Sequence, residues 1–165
     1  MTVGWLGAGA FAATPWVGVY GDFLTHPGVA AREEIPVGRS PASLDAAGLV
    51  YWHPGLMTAF ELSAGPSVRM TGGRRSTYGA FAHLGVMRGF WTAPTWSVDE
   101  SGVRRVPLAG DLWGTTAFGV GLGRVTEGWI TGFEVRPQVH LRFPTFHGVG
   151  IDPAIELSVR VGGRT

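Results

Sequence analysis

From Gly128 to Phe143, and again from Val149 to Val161, apolar side chains recur at nearly every second position. In the first run Trp129, Thr131, Phe133, Val135, Pro137, Val139, Leu141 and Phe143 share one parity. Gly132, Glu134, Arg136, Gln138, His140 and Arg142 share the other, with Ile130 the exception. In the second run Val149, Ile151, Pro153, Ile155, Leu157, Val159 and Val161 oppose Gly150, Asp152, Ala154, Glu156, Ser158 and Arg160. A side-chain period of two belongs to extended backbone. Each run is also long enough to cross a bilayer, which takes about 9 to 11 tilted strand residues.

The same pattern recurs upstream. Leu56, Thr58, Phe60, Leu62, Ala64, Val68 and Met70 alternate with Glu61, Ser63, Ser67 and Arg69. Tyr78, Ala80, Ala82, Leu84 and Val86 alternate with Thr77, Gly79, Phe81, His83 and Gly85, and Leu108, Leu112, Phe118, Val120 and Leu122 with Asp111, Trp113, Thr115, Gly119 and Gly121. With 27 Gly, 11 Pro and no sustained helical period, the chain reads as all-β. Strands are expected over 4 to 13, 16 to 25, 44 to 53, 56 to 71, 76 to 91, 106 to 123, 128 to 143 and 148 to 161. Residues 26 to 43 and 92 to 105 form the long loops. Joining 4 to 25 and 48 to 71 into two long strands gives six instead. Eight is preferred because six strands enclose too little room for charged side chains. Pro66, Pro107, Pro137 and Pro153 each remove a backbone donor and conflict with uninterrupted ladders.

An alternating strand fits a soluble barrel with its apolar face inward or a membrane barrel with that face outward. Three observations favour the second. Gly65, Gly79, Gly85, Gly119, Gly121 and Gly132 lie on the polar face, which a narrow lumen requires and a solvated surface does not. The charges of that face are nearly balanced: Glu61, Asp111, Glu134, Asp152 and Glu156 against Arg69, Arg136, His140, Arg142 and Arg160. Unpaired charges in a closed lumen would be costly, so these ten residues are the expected lumenal ion-pair network. Placing Phe143 opposite Val149 sets Arg136 against Glu156 and His140 against Asp152, whereas a shift by two sets Glu134 against Arg160 and Arg142 against Asp152. Finally, Trp5, Trp16, Trp52, Phe90, Trp91, Trp129, Phe143 and Phe146 fall near strand ends, where aromatic rings suit membrane interfaces.

Charged residues make up 15% of the chain, low for a water-soluble surface; all 13 basic residues are Arg, and Lys and Asn are absent. The net charge of +1 provides no field for nucleic acid. There is no Cys, and no pair of His has the spacing of a metal site, so neither a cofactor nor a metal is expected. The sequence Gly119-Val120-Gly121-Leu122-Gly123 lacks the helix and the Lys-Ser/Thr ending of a phosphate loop and reads as strand packing. The start, Met1 to Trp5, has neither a basic n-region nor an apolar h-region, so either an export signal lies outside this sequence or the protein is not exported.

The dyad pattern of 56 to 161 resembles small bacterial outer-membrane barrels of the OmpA-like and OmpX-like type. The resemblance implies a single antiparallel up-and-down transmembrane β-barrel spanning 1 to 165, with membrane lipid or detergent as its surroundings. It departs from that type where Val161 is followed by Gly162 to Thr165 instead of closing on an aromatic residue. The implied role is that of an anchor or adhesion platform meeting another protein through 26 to 43 and 92 to 105, with no catalytic residues. Two alternatives remain from the sequence. One is a soluble barrel binding an apolar small molecule. The other is a lipid-A-type acyl hydrolase built from His140, Ser158 and Glu156.

Overall fold

In the computed structural model, residues 14–22, 26–53, 57–92, 95–106, 110, 112–145 and 148–162 are described. They form β1 (Thr14–Asp22), β2 (Pro27–Pro36), β3 (Ala42–His53), β4 (Met57–Thr71), β5 (Ser76–Trp91), β6 (Thr95–Asp99), β7 (Gly102–Val106), β8 (Leu112–Val125), β9 (Ile130–Thr145) and β10 (Gly148–Val161). Eight of these close into an antiparallel barrel in the order β1-β10-β9-β8-β5-β4-β3-β2, and β6 and β7 form a separate two-stranded sheet. Closure leaves the barrel without a free edge, the condition for extended backbone to sit in hydrocarbon.

The strand number is as expected, but the strands are not all the expected ones. The span 26 to 43 was read as a loop and instead contains β2, which pairs with β1 from Thr14↔Glu34 and with β3 from Pro36↔Ser43. Alternation is obscured there because charge falls on both faces: Arg32 and Glu34 are buried, and Glu33 between them is exposed. The proposed strand 4 to 13 lies outside the described residues. The antiparallel register of β3 with β4, Val50↔Phe60 and Trp52↔Thr58, makes them separate neighbouring strands and excludes one long strand. Only one long connection remains, 92–111, which carries the β6–β7 hairpin. It shares an end of the barrel with the 23–26, 54–56 and 146–147 connections. The turns 37–41, 72–75 and 126–129 lie at the other end.

The β9–β10 register pairs Arg136 with Glu156 and His140 with Asp152, the first of the two arrangements above. Pairing of β4 with β5 is absent at Gly65 and Pro66, and that of β8 with β9 at Val120 and Gly121, opposite Arg136 and Pro137. In both places the register resumes unchanged, so these prolines cost local hydrogen bonds without shifting any face. Pro153 pairs with Val139, one position past the last residue of β10 paired to β1. Pro107 lies outside the described residues.

Orientation is inverted relative to a soluble barrel. Val135 is exposed and Arg136 is 2% exposed; Leu62 and Leu84, each 69% exposed, flank the buried Glu61 and His83. The expectation of an apolar core binding a small molecule therefore fails for most of the lumen. Trp52, Phe90 and Phe143 are exposed near the long-connection end, and Tyr78 and Trp129 near the other. Trp16 was expected in this belt but faces the lumen, 3% exposed. Trp5 and Phe146 are outside the described residues. Among the described strand residues of the barrel, Asp, Glu, Arg and His on the outer face are confined to Glu33, Arg88 and Arg124, each near a strand end.

An Arg placed at the middle of a lipid-facing strand is expected to destabilise by about 2–4 kcal/mol, falling to ~0–1 kcal/mol near the interface. Leu84→Arg should therefore lower the urea midpoint in phospholipid vesicles strongly. Arg124→Leu, at the rim, should leave it within a small fraction of that shift.

Candidate functional site: the lumen of the barrel

The lumen is layered. Toward the long-connection end Tyr20, Leu49, Tyr51, Met57, Ala59 and Met87 pack into an apolar cluster, with Trp91 and Trp113 against it. The Tyr20 and Tyr51 rings lie 6.0 Å apart, and the Tyr51 hydroxyl donates to the Met87 sulfur. The sequence reading expected an ionic lumen throughout. It missed this layer because the inward parity of β3, Leu49 and Tyr51, is as apolar as its outward parity.

Below the cluster the lumen is charged. Arg32 on β2 is the hub. Its Nη2 donates to Glu134 Oε2 at 2.5 Å and to Ser158 Oγ at 3.2 Å, its Nε to Glu156 Oε1 at 3.4 Å, and its Nη1 lies 3.8 Å from Asp45. Arg69 on β4 joins Glu34 at 2.8 Å and Glu134 at 3.0 Å. The Arg32 and Arg69 guanidinium carbons each sit 4.5 Å from the Trp16 ring centroid, and Arg160 lies 5.8 Å away. An indole face attracts such cations through its quadrupole, more so without water. Trp16 thus offsets part of the repulsion among three like charges.

A second group surrounds Asp45. Ser67 donates to Asp45 at 2.8 Å, and the Ser67 and Ser43 hydroxyls are 2.7 Å apart, with Ser43 bonding Glu34 at 3.1 Å. Arg136 reaches Asp45 at 3.5 Å and lies 3.6 Å from the Phe81 ring centroid; His83 Nε2 is 3.7 Å from Asp45. Higher in the barrel Thr115 donates to Glu61 at 3.0 Å, His140 Nδ1 is 3.6 Å from Glu61, and Arg142 pairs with Asp152 at 2.5 Å.

Of the ten residues expected to form the network, Glu61, Arg69, Glu134, Arg136, His140, Arg142, Asp152, Glu156 and Arg160 face the lumen, and Asp111 lies outside the described residues. Their partners are not those directly opposite. Arg136 bonds Asp45 rather than Glu156, His140 meets Glu61 rather than Asp152, and Arg160 binds the Thr131 hydroxyl and carbonyl, both at 2.9 Å. Long side chains can cross a narrow lumen, so Arg136 and His140 reach strands that are not their neighbours, whereas Arg142 and Arg160 bond within the β9–β10 wall. Arg32, Glu34, Asp45 and His83 were missed. The opposed charges on the inward parity of β2 were the available signal for Arg32 and Glu34, hidden by the loop expected over 26 to 43, whereas Asp45 fell in the expected strand 44 to 53, whose inward face is otherwise largely apolar at Leu49 and Tyr51.

The acyl hydrolase arrangement is not assembled. Ser158 lies opposite Glu134, whereas His140 lies opposite Asp152. Six residues of extended strand, roughly 20 Å, separate the two levels. Ser158 Oγ accepts from Arg32 instead.

Packing leaves little space. The cavity among Tyr20, Glu61, His83, Arg136 and His140 has about 20 Å³, room for one water or so. Glycine allows this density: a Cβ on Gly121 would collide with the Glu134 carboxylate, and one on Gly85 would come within 2.7 Å of Thr115 Oγ1.

Glu134 accepts from two arginines in a dry space, so Glu134→Ala should destabilise by about 3–5 kcal/mol in urea unfolding from vesicles, because Arg32 and Arg69 lose their shared acceptor. Arg75→Ala breaks the exposed Arg75–Glu127 pair and should cost at most ~1 kcal/mol.

No protein-family model matches the chain, and no curated protein sequence is significantly similar to it. Among solved structures, Neisserial surface protein A superimposes with a TM-score of 0.54 at 11% identity, over 90% of this chain and 93% of that one. Ail, the attachment invasion locus protein of Yersinia pestis, gives 0.49 at 8% identity, over 90% and 96%. Together with the apolar exterior and ionic lumen, the first of these likenesses establishes the fold as that of the small eight-stranded transmembrane β-barrels.

Proposed function

We propose that the chain, a single domain over 1 to 165, resides in a bacterial outer membrane as a static anchor that presents the 92–105 segment to a partner outside the cell. The observation that carries this reading is the division of labour between the two ends of the barrel. Among the described residues, the connections at one end are the short turns 37–41, 72–75 and 126–129, the usual character of the periplasmic side. The other holds the one long connection, with the β6–β7 ribbon.

On that ribbon Trp96 opposes Arg105 and Val98 opposes Val103, which puts all four on one face. All are exposed, Trp96 at 68%. Exposed Trp and Arg on one small patch have the composition of protein-binding hot spots. The 26 to 43 segment, first read as a second recognition loop, contributes only the 37–41 turn at the opposite end and has no part in this surface.

In this reading the lumenal network of Glu61, Arg69, Glu134, Arg136, His140, Arg142, Asp152, Glu156 and Arg160 keeps the barrel rigid and closed. Eight strands leave an interior just wide enough for side chains, which argues against a pore.

Planar bilayers containing the folded protein should show no sustained ion conductance at neutral pH. Replacing 95–106 by a short Gly-Ser turn should leave the barrel's resistance to detergent unfolding intact and abolish binding to host-cell or partner surfaces. Steady channel steps in the parent protein, or unchanged surface binding by the shortened one, would reject the reading.

A further inference from the structure

The lipid-facing wall is not evenly convex. Outward side chains of six consecutive strands, β9, β10, β1, β2, β3 and β4, line one open groove of about 950 Å³. Its floor is low because β2 and β3 present Ala31 and Gly48; its flanks are high where Phe60 and Leu62 stand on one side and Phe133 and Leu157 on the other. The side chains that face outward into it are apolar. The first charged outward residue beyond it is Glu33, two positions along β2 from Ala31, hence roughly 7 Å away. Glu33 is exposed and has no hydrogen bond or ion pair among the described residues. Arg39, also exposed, lies past it in the 37–41 turn.

We propose that this groove is a specific phospholipid site: acyl chain along Gly48 and Ala31, and a zwitterionic headgroup whose ammonium pairs with Glu33. The groove faces hydrocarbon, so a flexible chain is the occupant at hand, and filling it replaces loose contacts with close ones on both flanks. A second copy of the chain fits poorly. A two-fold dimer would set hollow against hollow, because an isologous interface must be complementary to itself. The lone carboxylate at the rim disfavours an anionic headgroup, which would place like charges together at the membrane interface. This proposal stands apart from whatever the β6–β7 ribbon binds.

Gly48 allows a direct test. A Cβ built there meets only Leu62 Cδ2 at 3.6 Å and Ala31 O at 4.0 Å, ordinary contacts, so a large side chain can project into the groove without disturbing the wall. The full chain, folded in detergent micelles, is titrated with dioleoyl phosphatidylethanolamine or dioleoyl phosphatidylglycerol and the bound lipid is counted by native mass spectrometry. The parent protein should retain one phosphatidylethanolamine in preference to phosphatidylglycerol. Gly48→Phe should weaken retention of both about tenfold or more. Glu33→Gln should keep the chain and lose the headgroup preference. Ala80→Phe, on the outer face of β5 opposite the groove, is the control and should bind as the parent does. Each variant is first checked for the compact, heat-shifted electrophoretic band of a folded barrel. Equal retention by folded Gly48→Phe, no preference in the parent, or a dimer that Gly48→Phe abolishes would each overturn the proposal.

Discussion

A charge inside a narrow, nearly water-free cylinder must find its counter-charge from another part of the wall, and most of this structure follows from that requirement. Eight strands give a lumen only a few side chains across. Arginine meets the requirement well. Its planar, always-charged head donates to carboxylates along several edges while its faces stack on Trp16 or Phe81. Lysine, a compact and strongly hydrated point charge, offers no such second surface, which agrees with a chain whose basic residues are all Arg.

The layering follows from the same constraint. Where Tyr20, Tyr51, Met57 and Met87 fill the lumen, apolar packing replaces the dense network, and charge there takes the form of pairs such as Arg142–Asp152 and His26–Asp22. Where Arg32, Arg69 and Arg136 fill it, Glu34, Asp45, Glu134 and Glu156 surround them. Gly121 provides the space that the Glu134 carboxylate occupies, and Gly85 makes room for the Thr115 hydroxyl that donates to Glu61. The outer wall has the opposite task, and there the charged groups retreat to Glu33, Arg88 and Arg124 near the strand ends.

How much could be read beforehand depended on how cleanly the two faces of a strand differ. In β4, β9 and β10 the outward parity is aliphatic and the inward parity polar, so face and most lumenal residues were legible, while the β9–β10 register was narrowed only to two arrangements. In β2 Glu33 interrupts the outward face, and in β3 Leu49 and Tyr51 make the inward face apolar. Period alone then carries no contrast, and Arg32 and Asp45, at the centre of the network, stayed hidden. Choice of partner was illegible for a different reason. Register fixes which residues lie opposite, but a guanidinium on a long stem bonds across the lumen, so Arg136 passes over Glu156 for Asp45.

The reach of Arg32 also bears on how such a barrel can be made. Its carboxylates belong to β9 and β10, more than a hundred residues away in the chain, and the first strand is held by the last through Trp16↔Arg160 and Val17↔Val159. A half-built sheet entering hydrocarbon would expose both Arg32 and Glu134 to lipid without their partners, at a cost of several kcal/mol each. Stepwise threading of hairpins is therefore disfavoured relative to an insertion in which β1 meets β10 and the salt links form while the sheet crosses the bilayer.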